Sequence, residues 1–320
     1  MGAQEVRRPR EGGRPGEGAD IELWIPITIA AAFLQNLRSA LQKHLKGRLS
    51  TGGATYARFI YALPFAVLYV AALASAPGFA LPAPHATFAL YTGIGGLAQI
   101  LATALLIYLF SFRNFAVGTT YSKTETVQTA IFGLVILGDR LSAAATAAIL
   151  VSLVGVVVLS SSKTSVGLGR LLTAWTERTA LIGLASGALF GVSAVSYRAA
   201  ALSLGGQGFL IQAAFTLACV LCFQTLVMGA YLVWREPGQL GQVLRAWRVA
   251  GWVGIAGMLG SVGWFTAMTI QNAAYVRALG QIELVFTFIA AQVVFRERST
   301  RLELGGIALI VAGILILLLG

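Results

Sequence analysis

Apolar runs of about 20 residues recur along the chain, and that is the length one α-helix needs to cross the hydrocarbon core of a bilayer. Ten such runs lie near residues 23–42, 56–76, 86–110, 115–137, 142–160, 179–200, 208–233, 249–270, 273–295 and 303–320. Residues of the set AVILMFWYC make up 57% of the chain and charged residues 11%, too little charge for the surface of a soluble domain of this length. The predicted class is an all-α integral membrane protein with ten transmembrane helices.

The formal net charge of +11 falls mostly in the short connections between these runs. There it reads as topology signal and lipid-headgroup contact, with the bilayer as a partner and no nucleic acid. The odd-numbered connections hold most of the Lys and Arg, which by charge count places them in the cytoplasm and both termini outside. Cys219 and Cys222 form C-x-x-C within an apolar run. Two thiols are too few for a metal site, so they read as small apolar filling, and no metal or cofactor is expected. Residues 1–22, rich in Gly, Pro, Arg and Glu, are predicted to be a disordered tail. The run after them is predicted to be a retained first crossing, and Pro64 to kink the second helix.

The widest gap, residues 161–178, acts as a linker between halves 23–160 and 179–320. Sliding the chain by 158 positions aligns 93–160 with 251–318 without a gap and pairs Asn114 with Asn272, Glu125 with Glu283, Thr129 with Thr287 and Arg140 with Arg298. Polar partners inside apolar helices are not explained by chance apolar similarity. Five crossings per half would thread the two copies from opposite sides, giving two inverted five-helix repeats, an arrangement that builds a midplane site between halves.

The stretch FAVGTTYSKTETVQTAIFGLVILGDRLSAAATAAILVSLVGVVVLS has the counterpart NAAYVRALGQIELVFTFIAAQVVFRERSTRLELGGIALIVAGILILLL. Each shows a helix, a short acidic turn (Asp139, Glu297) and a Gly-bearing final helix, and ARFIYALPF at 57–65 supplies a matching second helix. In these features residues 23–320 resemble the drug/metabolite transporter superfamily, with two EamA-type repeats. The resemblance implies a membrane transporter rather than an enzyme, with termini inside, opposite to the charge count. It assigns no role to the two glutamates.

Those glutamates are the chain's most expensive feature, because an acidic side chain at a helix centre costs about 2.5–3.5 kcal/mol on insertion scales. Tyr121, Ser122, Glu125, Gln128, Thr129 and Phe132 recur at helical spacing, as do Gly280, Glu283 and Thr287, so each set is predicted to face the bundle interior. Gln35, Arg38, Ser39 and Gln42 form a third inward stripe, and Arg198, Arg58 and Arg277 are possible ion-pair partners. Two readings stand side by side. Either Glu125 and Glu283 line a cavity that binds substrate or a coupling proton, or they neutralise buried arginines and fix register. Tyr121 and Trp264 could wall the cavity against an ammonium group. Lys123, two residues before Glu125, is expected on nearly the opposite side, snorkelling to the surface.

The function these observations imply is secondary active transport of a small organic metabolite, proton-coupled or by exchange, in a bacterial inner membrane. No nucleotide-binding motif is present to drive it otherwise. The substrate would be amine-bearing, zwitterionic or cationic if the glutamates bind it, or anionic or phosphorylated if Arg38, Arg58, Arg198 and Arg277 do. A membrane enzyme or a scaffold is the other class. A duplicated single chain needs no second copy, so a monomer is expected.

Overall fold

The computed structural model describes residues 17–46, 48–112, 115–163, 169, 173–206, 208–293 and 300–320. Its helices are α1 (Glu17–Lys46), α2 (Thr51–Ile60), α3 (Leu63–Ala74), α4 (Ala86–Leu109), α5 (Phe115–Ser122), α6 (Glu125–Leu137) and α7 (Ala143–Lys163) in the first half. A 3₁₀ turn at Ala174–Thr176 leads into α8 (Arg178–Ser203), α9 (Phe209–Arg235), α10 (Gln239–Arg245), α11 (Trp247–Ile270), α12 (Ala273–Gly280), α13 (Ile282–Val293) and α14 (Arg301–Leu319). Among the described residues there is no strand.

Among the described residues eight segments are long and apolar enough to cross a membrane: α2–α3 taken together, α4, α7, α8, α9, α11, α12–α13 together, and α14. Of the ten runs expected, α1 and the pair α5–α6 fall outside this set. They carry Gln35, Asn36, Arg38 and Ser39 in one case and Lys123, Glu125 and Gln128 in the other, and polar side chains lower the mean hydropathy of a segment whether or not it lies in lipid.

The second run is two helices, interrupted at Tyr61–Ala62, with Pro64 in the first turn of α3. Proline is tolerated there because the first-turn N–H groups have no intrahelical partner. The chain is already helical at Glu17, inside the stretch expected to be a disordered tail; residues 1–16 lie outside the described residues. So do residues 164–168 and 170–172 of the 161–178 linker and the turn holding Glu297, whereas α7 extends through Lys163. The turn at Asp139 follows Gly138, the C-cap of α6, whose φ of 70° is a left-handed conformation that suits glycine.

The most extensive packing is α7 against α14, α4 against α8 and α1 against α11. α1 and α8 open the two halves, and α4 and α11 are partners at the 158-residue offset, so the last two pairings are counterparts. Close approach rests on glycine. A Cβ on Gly155 would lie 2.8 Å from the Gly306 carbonyl oxygen, and one on Gly306 would lie 2.9 Å from that of Gly155. Side chains there would hold α7 and α14 apart, and in lipid such small-residue contacts are a main source of helix association. The glycine-rich stretches of α4 and α11 serve the same end, with Gly95 against Tyr197 and Gly263 against Ala31.

Two large apolar cores result among the described residues, beside a small cluster of Val117 and Ala180. One gathers α2 and α9 with Tyr197 and Phe265, the other gathers α7, α12 and α14 with Trp264 and Met268. A cavity lies where they abut.

Candidate functional site

The cavity, about 220 Å³, is bounded by two helix breaks at equivalent positions. α5 ends at Ser122 and α6 begins at Glu125; α12 ends at Gly280 and α13 begins at Ile282. α5 and α12 correspond residue for residue at the 158-residue offset. At the first break Lys123 N and Thr124 N donate to carbonyls three residues back (Thr120 and Tyr121), and at the second Gln281 N and Leu284 N do the same (to Ala278 and Gln281). This local 3₁₀ tightening changes the angular phase of every residue beyond it.

The break corrects the expectation for Lys123. Instead of snorkelling outward, its ammonium lines the cavity and pairs with the Glu283 carboxylate. The reverse link is Glu125 with Arg277, Oε1 to Nη1 at 2.9 Å. Each break thus contributes an acid that is matched by a cation from the other half. Glu283 also accepts from Gln35 Nε2 at 2.8 Å, while Asn36 Nδ2 donates to Thr287 Oγ1 at 2.8 Å. Arg277 lies over the Trp264 ring, 4.9 Å from its centroid.

Two further cations line the cavity without such matching. Arg38 and Arg58 are 8% and 7% exposed, and among the described residues neither has a carboxylate within 4 Å. Arg58 Nη1 donates to Thr103 Oγ1 at 3.0 Å, whereas Arg38 Nε, buried, has no hydrogen-bond partner among the described residues. Both stems converge on Gly257: a Cβ there would lie 3.3 Å from Arg38 Cδ and 4.0 Å from Arg58 Cγ. Trp264 Nε1, in the same wall, is another buried donor without a partner among the described residues. Beside the arginines, Tyr197 OH donates to the Gly95 carbonyl oxygen at 2.9 Å, and Gln224 Nε2 donates to Gln99 Oε1 at 2.9 Å. The lining holds Arg38, Arg58, Lys123 and Arg277 against Glu125 and Glu283, an excess of two positive charges when all are ionised.

Of the residues expected at the site, Glu125, Glu283, Gln35, Arg38, Thr287 and Trp264 line the cavity. Four others do not. Thr129 is fully buried, its hydroxyl turned back to the Glu125 main-chain carbonyl at 2.7 Å. Gln128 faces α8, where Nε2 donates to the Leu184 carbonyl, and Tyr121 packs beside Val117 and Ala180. Arg198 pairs with Asp139 at 3.4 Å and donates to the Met268 and Gln271 carbonyls at 2.7 and 2.6 Å. It ties α8 to the end of α11 rather than serving the cavity. A stripe drawn at constant helical phase through the break at residues 123–124 mixes residues that face different neighbours, which is why Tyr121 and Glu125 part company.

Sequence reasoning missed Asn36, Lys123 and Gln99. For Lys123 the signal was present: the polar run SKTE interrupts an apolar segment at the position its offset partner occupies with the polar Gln281. Asn36 sits on the edge of the α1 stripe, one residue from Gln35.

A helical membrane protein with a charged cavity beside paired helix breaks is the class this arrangement defines. Residues 178–319 match the model of the EamA-like transporter family, a family of the drug/metabolite transporter superfamily. A solved crystal structure superposes with a TM-score of 0.69 at 17% identity, covering 93% of this chain and 97% of that one, a likeness of fold alone. No curated protein matches the chain.

Proposed function

We propose that the chain is a secondary transporter for a small organic anion, moved together with protons. The observation that carries this reading is the pair Arg38 and Arg58, buried in the cavity wall without carboxylate partners among the described residues. Burying an unpaired guanidinium costs several kcal/mol, and an anionic ligand offsets that cost. Arginine suits the role because its planar fork binds carboxylate and phosphate with two parallel hydrogen bonds. The amine-bearing substrate suggested by the two glutamates is less well served, since each glutamate already faces a cation.

The same geometry supports proton coupling. An anion that reaches Lys123 or Arg277 competes with Glu283 or Glu125 for that cation. A carboxylate so displaced takes up a proton, which leaves its former partner to the substrate, and loses the proton when the substrate departs and the ion pair re-forms. Anion and proton then travel together. The paired breaks and the counterpart packing of α4–α8 and α11–α1 support reading α1 and α5–α6 as two further crossings. The bundle is then ten helices in two inverted repeats, whose rocking exposes the cavity to each side in turn.

Purified protein in liposomes provides the test. An inward proton gradient should accelerate uptake of a labelled carboxylate or phosphate ester, and Arg38→Gln and Arg58→Gln should abolish that uptake. Uptake of amines alone, unaffected by either substitution, would remove the anion reading.

A further inference from the structure

A second cavity, about 540 Å³, opens on the outer face of the bundle between α6 and α7. Its walls are almost wholly apolar: Ile131 and Leu134 come from α6, and Leu141, Ile149 and Leu150 from the turn and α7. Ile131, Leu134 and Leu150 are 54%, 55% and 52% exposed, so the groove is open along its length. On a membrane-spanning helix pair, a groove open at that depth faces acyl chains, and only an apolar chain can fill it without stranding water.

One end of the groove is not apolar. Arg140 lines it there, exposed, and among the described residues no carboxylate lies within 4 Å of it. Asp139 also lines this end but is matched by Arg198, so among the described residues Arg140 is left as the unmatched charge at the mouth. α7 starts at the same point, capped by Ser142, whose hydroxyl accepts from Ala145 N at 3.0 Å, and a helix N-terminus adds partial positive charge. Tyr275 OH, 3.2 Å from Ser142 N, brings a further hydroxyl to this edge.

We propose that this groove holds one anionic phospholipid, an acyl chain between α6 and α7 and the headgroup phosphate on Arg140. The occupant follows from the two halves of the site taken together, a hydrocarbon slot and a cation at its interfacial end, which a free phosphate or an uncharged detergent matches only in part. The lipid would bear directly on the transport machinery. α6 begins at Glu125 of the central cavity and ends at Gly138 beside the Asp139–Arg198 link to α11, so filling the slot braces the helix that carries Glu125.

A photoactivatable phosphatidylglycerol with a diazirine on its acyl chain, added to wild-type protein in phosphatidylcholine nanodiscs, tests this without a variant. Labelling should concentrate in peptides spanning 127–150, and unlabelled phosphatidylglycerol should compete about fivefold better than phosphatidylcholine, the preference expected of one basic residue at a membrane surface. Arg140→Gln should erase that preference while leaving chain labelling in place, and Ile131→Trp, which fills the slot, should reduce labelling with either headgroup. Labelling spread evenly over the lipid-facing helices, or equal competition by the two lipids against wild-type protein, would overturn the proposal.

Discussion

Glu125 and Arg277 belong to opposite halves of the chain, yet their side chains meet 2.9 Å apart at the cavity, and the guanidinium lies over the Trp264 ring as well. The halves are cross-linked a second time by Lys123 and Glu283. Acid and base alternate across the interface, each helix break supplying an acid that meets a cation from the other half.

Removing one member of such a pair leaves the other charged and buried, which costs about 3–5 kcal/mol, while removing both is far milder. Glu125→Gln and Arg277→Gln should each lower the melting temperature of the detergent-purified protein, and the double substitution should recover most of the loss. The resulting coupling should exceed about 3 kcal/mol, because two losses of that size give way to one much smaller loss. Additive losses would mean that the two side chains do not interact in the folded protein.

Arg38 behaves in the opposite sense. It has no carboxylate partner among the described residues and its Nε is unsatisfied, so Arg38→Gln should leave stability unchanged or raise it. Binding of an anionic ligand should weaken about 10- to 100-fold, the value of one or two charge-assisted hydrogen bonds. Melting curves with and without ligand separate the two effects.

Arg198 was expected at the binding site from its place in the sixth run, but it holds Asp139 and two carbonyls at the end of α11. Arg198→Gln should lower the melting temperature with the ligand concentration for half-maximal stabilisation unchanged. A shift in that concentration comparable with the Arg38→Gln effect would return Arg198 to the cavity.

Glycine substitutions should separate packing from lipid contact. A Cβ on Gly183 would overlap the Gly118 carbonyl oxygen, whereas one on Gly93 meets nothing within 4 Å. Gly183→Ala should cost about 1–3 kcal/mol or prevent folding, and Gly93→Ala should be silent, as monitored by folded yield on size-exclusion chromatography.

How far the sequence revealed this site differs from residue to residue. The offset pair Glu125 and Glu283 stood out because a carboxylate in an apolar helix is costly and two at one repeat spacing are not accidental. Arg58 and Arg277 stood out for the same reason, although not which acid each would meet. Lys123 departs from the side that helical phase predicts because residues 115–137 are not one unbroken helix. A break needs no Pro or Gly when a local 3₁₀ turn can make it, and residues 122–125 contain neither. Thr129 and Thr287 looked equivalent at one turn past their glutamates, and both do bond back to the glutamate carbonyls, but only Thr287 reaches the cavity. What separates them is the facing helix: α8 closes over Thr129 at Gly191, whereas α1 offers Asn36 to Thr287. That distinction lies in tertiary packing, not in either segment's own pattern.

The excess positive charge of the cavity is most directly measured by thermal stabilisation with ligand pairs that share a carbon skeleton and differ only in carrying a carboxylate or an amine. The carboxylate member should raise the melting temperature, more strongly at pH 6 than at pH 8 if its binding takes up protons as proposed, and Arg38→Gln should remove the effect. Stabilisation by the amine member instead, strengthening as the pH rises and surviving Arg38→Gln, would contradict the account.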